Sequence, residues 1–355
     1  MTRVLALTKY GRAGPSSRVR TYQFLPQFER AGLQVTVLPL QGDDYIERLY
    51  SQGSRDPLAA LRAYAGRAAT LLNPPPHDVV WVEKELFPYL PTFAEGLLSA
   101  KLGPMVVDYD DAIFHNYDLH RLGAVRTLLG RKIDAVMRRA QVVVAGNDYL
   151  KARALKAGAR RVEVLPSVVD VPSYRHPRPQ GRTPPVIGWM GTPSTAHNLQ
   201  LIAGPLAAMQ ARHGAAVRVV ARGQIPIDGV SVDCVDWAED RQAADLAGFD
   251  IGVMPLFGTP FDQGKCGYKI VQYMAAGLPV VASAVSANRD IVEPGVTGFL
   301  ADTDAEWTQA LETLIADRAL RERMGRAGYE RALAHYSTEA VGERLTRLLK
   351  DVARR

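Results

Sequence analysis

The sequence predicts an α/β protein made of two doubly wound parallel-sheet domains in tandem. Three observations carry that prediction. The length, 355 residues, exceeds what one hydrophobic core ordinarily fills. Strand-length apolar runs alternate with helical segments through both halves, and one proline-rich stretch interrupts the rhythm between them.

In the first half the apolar runs fall at residues 4–7, 35–38, 79–82, 105–107, 142–145 and 162–165. Such runs, separated by helix-length segments, belong to a parallel sheet with helices on both faces. The helical pattern at 17–31 contains Pro26, whose missing N–H kinks the helix or delays its start. Asn147 is placed to cap a helix that runs to Gly158. Residues 171–185 then gather Pro172, Pro177, Pro179, Pro184 and Pro185 around Gly181, the composition of a linker.

The rhythm resumes with runs at 186–190, 217–221, 230–235, 251–254, 280–282 and 298–301. Ala276 and Gly277 close a helix that begins near Tyr268, and residues 337–349 form a last helix. Domains are therefore expected at 1–172 and 183–336, with a terminal helical segment at 337–355. Open parallel sheets bind ligands beyond the carboxyl ends of their strands, so functional side chains are sought in a cleft onto which those ends face.

Composition narrows the class. Hydrophobic residues make up 47% and charged residues 23%, the proportions of an ordinary globular protein, which excludes a disordered or fibrous chain. Cys234 and Cys266 are the two cysteines; far apart and without metal-ligand spacing, they exclude a disulfide framework or a structural zinc site. The opening apolar run is too short for a signal peptide, being followed at once by Lys9 and Arg12, and no 18-residue apolar stretch occurs, so a cytoplasmic location is expected. Charge is uneven: 24 basic and 17 acidic residues stand in 1–175, against 19 and 20 in the remainder. A basic first half suits an anionic acceptor or peripheral contact with a phospholipid surface, and equally describes a plain solvated surface. Nucleic acid is not expected, because the basic residues are scattered without interleaved aromatic side chains.

Residues 254–283 are the most informative segment, a strand end leading through a loop into a helix. Gly264 and Gly267 permit close backbone approach, the helix start at Tyr268 offers N–H groups, and Lys265 and Lys269 add positive charge. This combination suits a diphosphate. Charge-assisted hydrogen bonds of roughly 1.5–3 kcal/mol each would hold it and stabilise the charge that grows on a departing group. The alternative is a solvated loop whose lysines face water.

The stretches 267–283 (GYKIVQYMAAGLPVVAS) and 288–300 (NRDIVEPGVTGFL), followed by Glu306 and Trp307, resemble glycosyltransferase family 4, the retaining enzymes of the GT-B fold, and the resemblance spans nearly the whole chain. It implies a first Rossmann-like domain on the acceptor side, a second that holds a nucleotide-diphosphate sugar, and a terminal helix that crosses back to the first, so that the domains can hinge about the cleft. It also implies a metal-independent enzyme with no cofactor, acting on a glycan or lipid-linked acceptor. The family places two glutamates eight residues apart across the helix start; Gly264 and Gln272 stand there. Gln272 retains donors and acceptors for a ribose, whereas Gly264 has no side chain to offer a sugar, leaving Asp262 as a substitute. After the first strand of the second domain the family grips the diphosphate with an arginine and a lysine; here Gly191 remains and Thr192 and His197 replace the cations. The burden then shifts to Lys265 and Lys269, with Thr192 and Thr195 as neutral donors, and His197 reads as a helix-surface residue.

Residues 8–20 are similar to the family's glycine-rich first loop. Ser16 or Ser17 can cap the helix that follows, and Arg18 in its first turn can reach a donor phosphate or an anionic acceptor. Arg20 reads as surface charge. Asp108, Asp110 and Asp111 sit at a strand's carboxyl end, near His115 and His120. One aspartate is expected to be structural, and Asp110 and Asp111 to orient or deprotonate an acceptor hydroxyl; a helix cap or a metal-binding pair are the alternatives. Glu83 and Glu85, flanking Lys84, read as a solvated strand end. Trp237 follows a strand at a position suited equally to a nucleobase or to the core. Two other functions are compatible with these residues: a nucleotide-sugar epimerase of GT-B type, and a nucleotide-sugar-binding protein without turnover.

Overall fold

The computed structural model describes residues 1–52, 56–177 and 183–354; Pro179 and Gly181 of the expected linker lie outside the described residues. The chain forms two compact units, one of Met1–Ser167 together with the chain from Val341 onward, the other of Val168–Ala340.

The first unit is built on six parallel strands, β1 (Thr2–Tyr10), β2 (Leu33–Gln41), β3 (Val79–Glu83), β4 (Met105–Tyr109), β5 (Val142–Ala145) and β6 (Val162–Val164), in the order β2-β1-β3-β4-β5-β6. Val4 of β1 pairs with Val35 on one side and Val79 on the other. Helices on both faces leave no solvated side to the central strands, and β3 and β4 are buried from end to end. The chain order reverses between β1 and β3, which makes the carboxyl ends of those two strands the natural ligand position.

Pro26 acts as expected: a helix at Pro15–Arg20 gives way to a 3₁₀ turn at Tyr22–Phe24 and a second helix at Leu25–Arg30, with the proline in its first turn, where an N–H is not needed. Asn147 caps Asp148–Lys156, its Oδ1 accepting from the Leu150 N–H at 2.9 Å. The last helix, Thr338–Ala353, buries Val341, Leu345, Leu348, Leu349 and Val352. Lys350 Nζ donates to the Ala31 carbonyl at 2.7 Å and Arg344 to that of Val164 at 3.0 Å, while Gly342 lies against the Gln27 amide, which a Cβ there would have to displace.

The second unit repeats the architecture with β7 (Val186–Met190), β8 (Ala216–Ala221), β9 (Val232–Asp236), β10 (Ile251–Met254), β11 (Val280–Ala282) and β12 (Gly298–Leu300), all parallel, in the order β12-β11-β10-β7-β8-β9. Its reversal lies between β7 and β10. One face of the sheet packs on Tyr273, Met274 and Phe249, the other on Trp307, Leu311 and Met209. Gly188 of β7 is a glycine because the Phe249 ring fills the space of a side chain. Helix Tyr268–Ala275 is buried from Ile270 onward, since it lies against helix Arg318–His335 as well as the sheet. Gly277, at φ +70°, ends it. Among the described residues no helix is long and apolar enough to cross a membrane.

Candidate functional site

In the second unit the loops after β7 and β10 meet at the strand-order reversal. Tyr273, from helix Tyr268–Ala275, fastens the two strands from below: its hydroxyl accepts from the Met190 N–H at 3.0 Å and donates to the Val253 carbonyl at 3.3 Å. Burial pushes this phenol well above its ordinary value, so it stays neutral. Above it, Gly191 follows β7. A Cβ there would stand 2.6 Å from Lys269 Cε and 2.5 Å from the Trp189 ring, and Lys269 Nζ lies 5.2 Å from the centroid of that ring. The glycine thus lets the lysine lie between the loop and the indole, where a cation is favoured by the ring's negative face.

Gly267, Tyr268, Lys265 and Thr192, also expected on the donor side, belong to the same two loops and the helix start. Gly267, at φ +63°, precedes the helix, and a side chain on it would overlap Ile291. Tyr268 opens the helix, which has no side-chain cap of its own. Lys265 is half-buried, its Nζ 4.8 Å from the Phe261 ring centroid. The Thr192 hydroxyl sits 3.0 Å from Ser194 Oγ, and Thr195 Oγ1 donates to the Thr192 carbonyl at 3.0 Å, so these hydroxyls close the turn that starts the 3₁₀ run Pro193–Ile202.

Two expectations are corrected here. Asp262 is buried and accepts from the Thr259 N–H at 3.1 Å and Oγ1 at 2.8 Å, so its carboxylate shapes the loop instead of reaching for a sugar. Gln272 is also buried, and its amide donates to the Tyr174 hydroxyl at 3.1 Å, a partner from the segment before β7 that a helix-periodicity argument does not reveal. Trp237 is half-buried and packs against the core. His197 is exposed, as expected, but it is not isolated: its ring lies parallel to Phe257 at 6.1 Å, joining the β7 and β10 loops. Phe257, half in solvent on the β10 loop, was not singled out by sequence; an aromatic beside Gly258 in a loop is the one signal that marked it.

The first unit carries a dense charged network at the ends of β1, β3 and β4. Lys84 joins the three: its Nζ lies 2.9 Å from Asp110 Oδ1 and donates to Ser16 Oγ at 2.8 Å, and Ser16 Oγ donates to Asp110 Oδ2 at 2.6 Å. Its backbone has φ +66°, with the Glu85 N–H bonded to the Glu83 carbonyl at 2.8 Å. A lysine in this region costs on the order of 1–3 kcal/mol and persists only where the surroundings enforce it. Burial works against the Lys84 charge, but Asp110, Asp111 and Glu83 outweigh it and hold the ammonium above its ordinary value. Burial likewise opposes ionisation of Asp110, yet Lys84 and then Arg20 hold its carboxyl well below the usual range. So placed, Asp110 is a fixed hydrogen-bond acceptor and a poor base. Asp111 is half-buried beside it.

Several sequence expectations are overturned in this network. Neither Ser16 nor Ser17 caps the helix, which starts at Pro15 after Gly14. Ser17 is fully buried, its Oγ accepting from the Tyr10 N–H at 3.1 Å and donating to Glu83, which leaves it nothing to offer a donor. Arg20 is not a surface charge: it grips Asp108 through two bonds of 2.8 and 2.6 Å and donates to the Leu165 and Pro166 carbonyls. Asp108 is thereby the structural aspartate. Glu83 and Glu85 are not solvated either. Burial pushes the Glu83 carboxyl up, while Glu85 accepts from Lys132 at 2.6 Å and from the Tyr117 hydroxyl at 2.8 Å. Arg18 is half-buried in the helix that follows the first loop. His115 is satisfied between Asp118 and Tyr149, each at 2.8 Å.

Residues 184–317 match the sequence profile of the family described as Glycosyl transferases group 1. The chain is similar to the lipopolysaccharide core biosynthesis glycosyltransferase LpsE of Rhizobium meliloti, 30% identical over 115 residues that make up 32% of each chain. It is similar to the phosphatidyl-myo-inositol mannosyltransferase of Mycobacterium leprae, 34% identical over 114 residues, 32% of this chain and 29% of that one. The chain thus aligns with about a third of the length of these curated relatives. Among solved structures, HepE of Anabaena in complex with UDP-glucose superposes with a TM-score of 0.71 at 17% identity, over 99% of this chain and 100% of that one. WaaG, a glycosyltransferase involved in lipopolysaccharide biosynthesis, does so at 0.71 and 14%, over 98% and 99%. At these identities the superpositions establish the fold.

Proposed function

We propose that this chain, which carries a group 1 glycosyl transferase domain on the two-sheet GT-B architecture, transfers a sugar from a nucleotide-diphosphate donor to a glycan or lipid-linked acceptor, retaining the anomeric configuration and using neither a metal ion nor a cofactor. The observation that carries the reading is the placement of Lys269 over Trp189 and against Gly191, at the paired ends of β7 and β10. A cation fixed beside the start of a helix, with Lys265 in the adjoining loop, is the arrangement that receives a pyrophosphate.

In this mechanism Lys265, Lys269 and the backbone at Gly267 and Tyr268 take up the charge that develops on the nucleotide diphosphate as its bond to the anomeric carbon breaks. The acceptor oxygen bonds to that carbon on the face the phosphate leaves, and the acceptor proton passes to the departing phosphate oxygen. Arg18 and Asp111, with Asp110 held as a fixed acceptor, serve the acceptor side. Positive charge from lysines supports metal independence, as does the pairing of Asp108 with Arg20 and of Asp110 with Lys84. A nucleotide-sugar donor is supported by the UDP-glucose complex of HepE, and a glycan or lipid-linked acceptor by the names of LpsE and the mannosyltransferase.

Titrating UDP-, GDP- and ADP-sugars into the protein and its Lys265→Met and Lys269→Met variants tests the site. Losing one charge-assisted contact weakens binding about tenfold to a hundredfold. Nucleotide affinity untouched in both variants, or turnover abolished by a chelator, overturns the proposal.

A further inference from the structure

The first unit exposes Tyr89, Phe93, Leu97, Leu119, Leu122 and Leu128, each more than half in solvent. Scattered exposed leucines are ordinary, but these stand on adjoining elements. Helix Thr92–Leu98 lies against helix Lys132–Arg139, into which helix Gly123–Leu129 leads. The Tyr89 ring stands 5.2 Å from that of Tyr117 and 6.3 Å from that of His120.

The charge on this surface has one sign. Between Asp118 and Asp134 the sequence places Arg121, Arg126, Arg131 and Lys132 and no acidic residue. Lys132 is spent internally on Glu85. The two bordering aspartates are both held by Arg153, at 2.9 and 2.6 Å. Arg126 donates to the His120 and Arg121 carbonyls, which leaves its charge uncompensated, and no ion pair among the described residues involves Arg121, Arg126 or Arg131. Exposed leucines beside uncompensated arginines on short surface helices have the chemistry of a bilayer interface, apolar side chains below the headgroups and cations level with the phosphates.

We infer that this face of the first unit docks onto an anionic phospholipid bilayer, with Phe93, Leu97, Leu119, Leu122 and Leu128 entering the headgroup boundary and Arg121, Arg126 and Arg131 meeting lipid phosphates. A soluble polyanion would engage the arginines and leave the leucines in water, so the apolar half of the surface selects the bilayer. The inference rests on the proposed lipid-linked acceptor for its purpose, but its test needs neither donor nor acceptor, and failure leaves the reading of the second unit standing.

Cosedimentation of the full chain with vesicles of phosphatidylcholine, with and without phosphatidylglycerol, reads it directly. The protein pellets with the anionic vesicles, and pelleting weakens as salt screens the charges. Replacing all three arginines, R121Q/R126Q/R131Q, lowers the partition coefficient about a hundredfold, at about fivefold per residue, equivalent to ~1 kcal/mol each. L122S/L128S lowers it too, while the melting temperature and the affinity for nucleotide sugars stay as they were. The inference is overturned if the unaltered protein stays in the supernatant, if the arginine variant pellets like it, or if the leucine variant does so.

Discussion

Replacing Lys84 by methionine keeps the length of the side chain and the strained backbone while removing one charge from the first unit. At 2.9 Å from Asp110 Oδ1, the pair interacts with a gross energy of about 6 kcal/mol at an effective dielectric of ~20. Both side chains are largely shielded, 8% and 13% exposed, so the aspartate left behind has little water to turn to. Breaking such a pair from one side costs about 3–5 kcal/mol, because the surviving charge is buried without a partner. Adding Asp110→Asn removes that charge, and the double variant should regain about 2 kcal/mol relative to the sum of the single changes, a coupling typical of contacting residues. Hydrogen exchange read on peptides from β1, β3 and β4 reports the opening of this unit alone. The penalty should be flat between about pH 5 and pH 9. The Asp110 value is depressed in the folded chain, so its contribution is present above about pH 4 and lost as pH falls through the folded value; that of Lys84 is raised, so its contribution is present below about pH 10.5 and lost as pH rises through the folded value. A cost under about 1 kcal/mol for Lys84→Met, or strictly additive single changes, would refute the account of the pair as a mutually dependent unit.

Two further outcomes follow from the second unit. In Gly191→Ala the new methyl stands 2.6 Å from Lys269 Cε and 2.5 Å from the Trp189 ring, so both must shift and the lysine leaves the indole face; titration then shows nucleotide-sugar affinity lower by about tenfold, as for a lost charge-assisted bond. Gln272→Leu loses the bond to Tyr174 and about 1 kcal/mol of stability, with nucleotide affinity unchanged by titration; a marked drop in affinity would instead return the residue to the ribose.

The sheets were legible because parallel strands buried on both faces are continuous apolar runs: residues 142–145 and 251–254 coincide with β5 and β10. The punctuation was legible for the same reason, since Pro26, Asn147 and Gly277 act through their own backbone chemistry. The charged network of the first unit was not. Glu83, Lys84 and Glu85 alternate in sign, a local pattern that describes solvent, and only the insertion of β3 between β1 and β4 brings Ser17, Asp110 and Lys132 from distant parts of the chain to satisfy them. Arg20 was hidden likewise, because Asp108 and the carbonyls it holds lie far along the sequence. Gln272 sits where the family has a ribose-binding glutamate, but the neighbour that occupies it, Tyr174, belongs to a segment whose placement no periodicity predicts.

The first unit is discontinuous: everything up to Ser167 waits for the helix that begins at Thr338. A ribosome adding about 5–20 residues per second needs roughly 10–35 s to synthesise the intervening unit. Throughout that interval the docking stripe for Leu345, Leu348, Leu349 and Val352 is open to water and to chaperones, so the half made earliest is the last to be completed. A nascent chain halted after β12 but before the final helix therefore carries a finished second sheet and a first unit still unclosed.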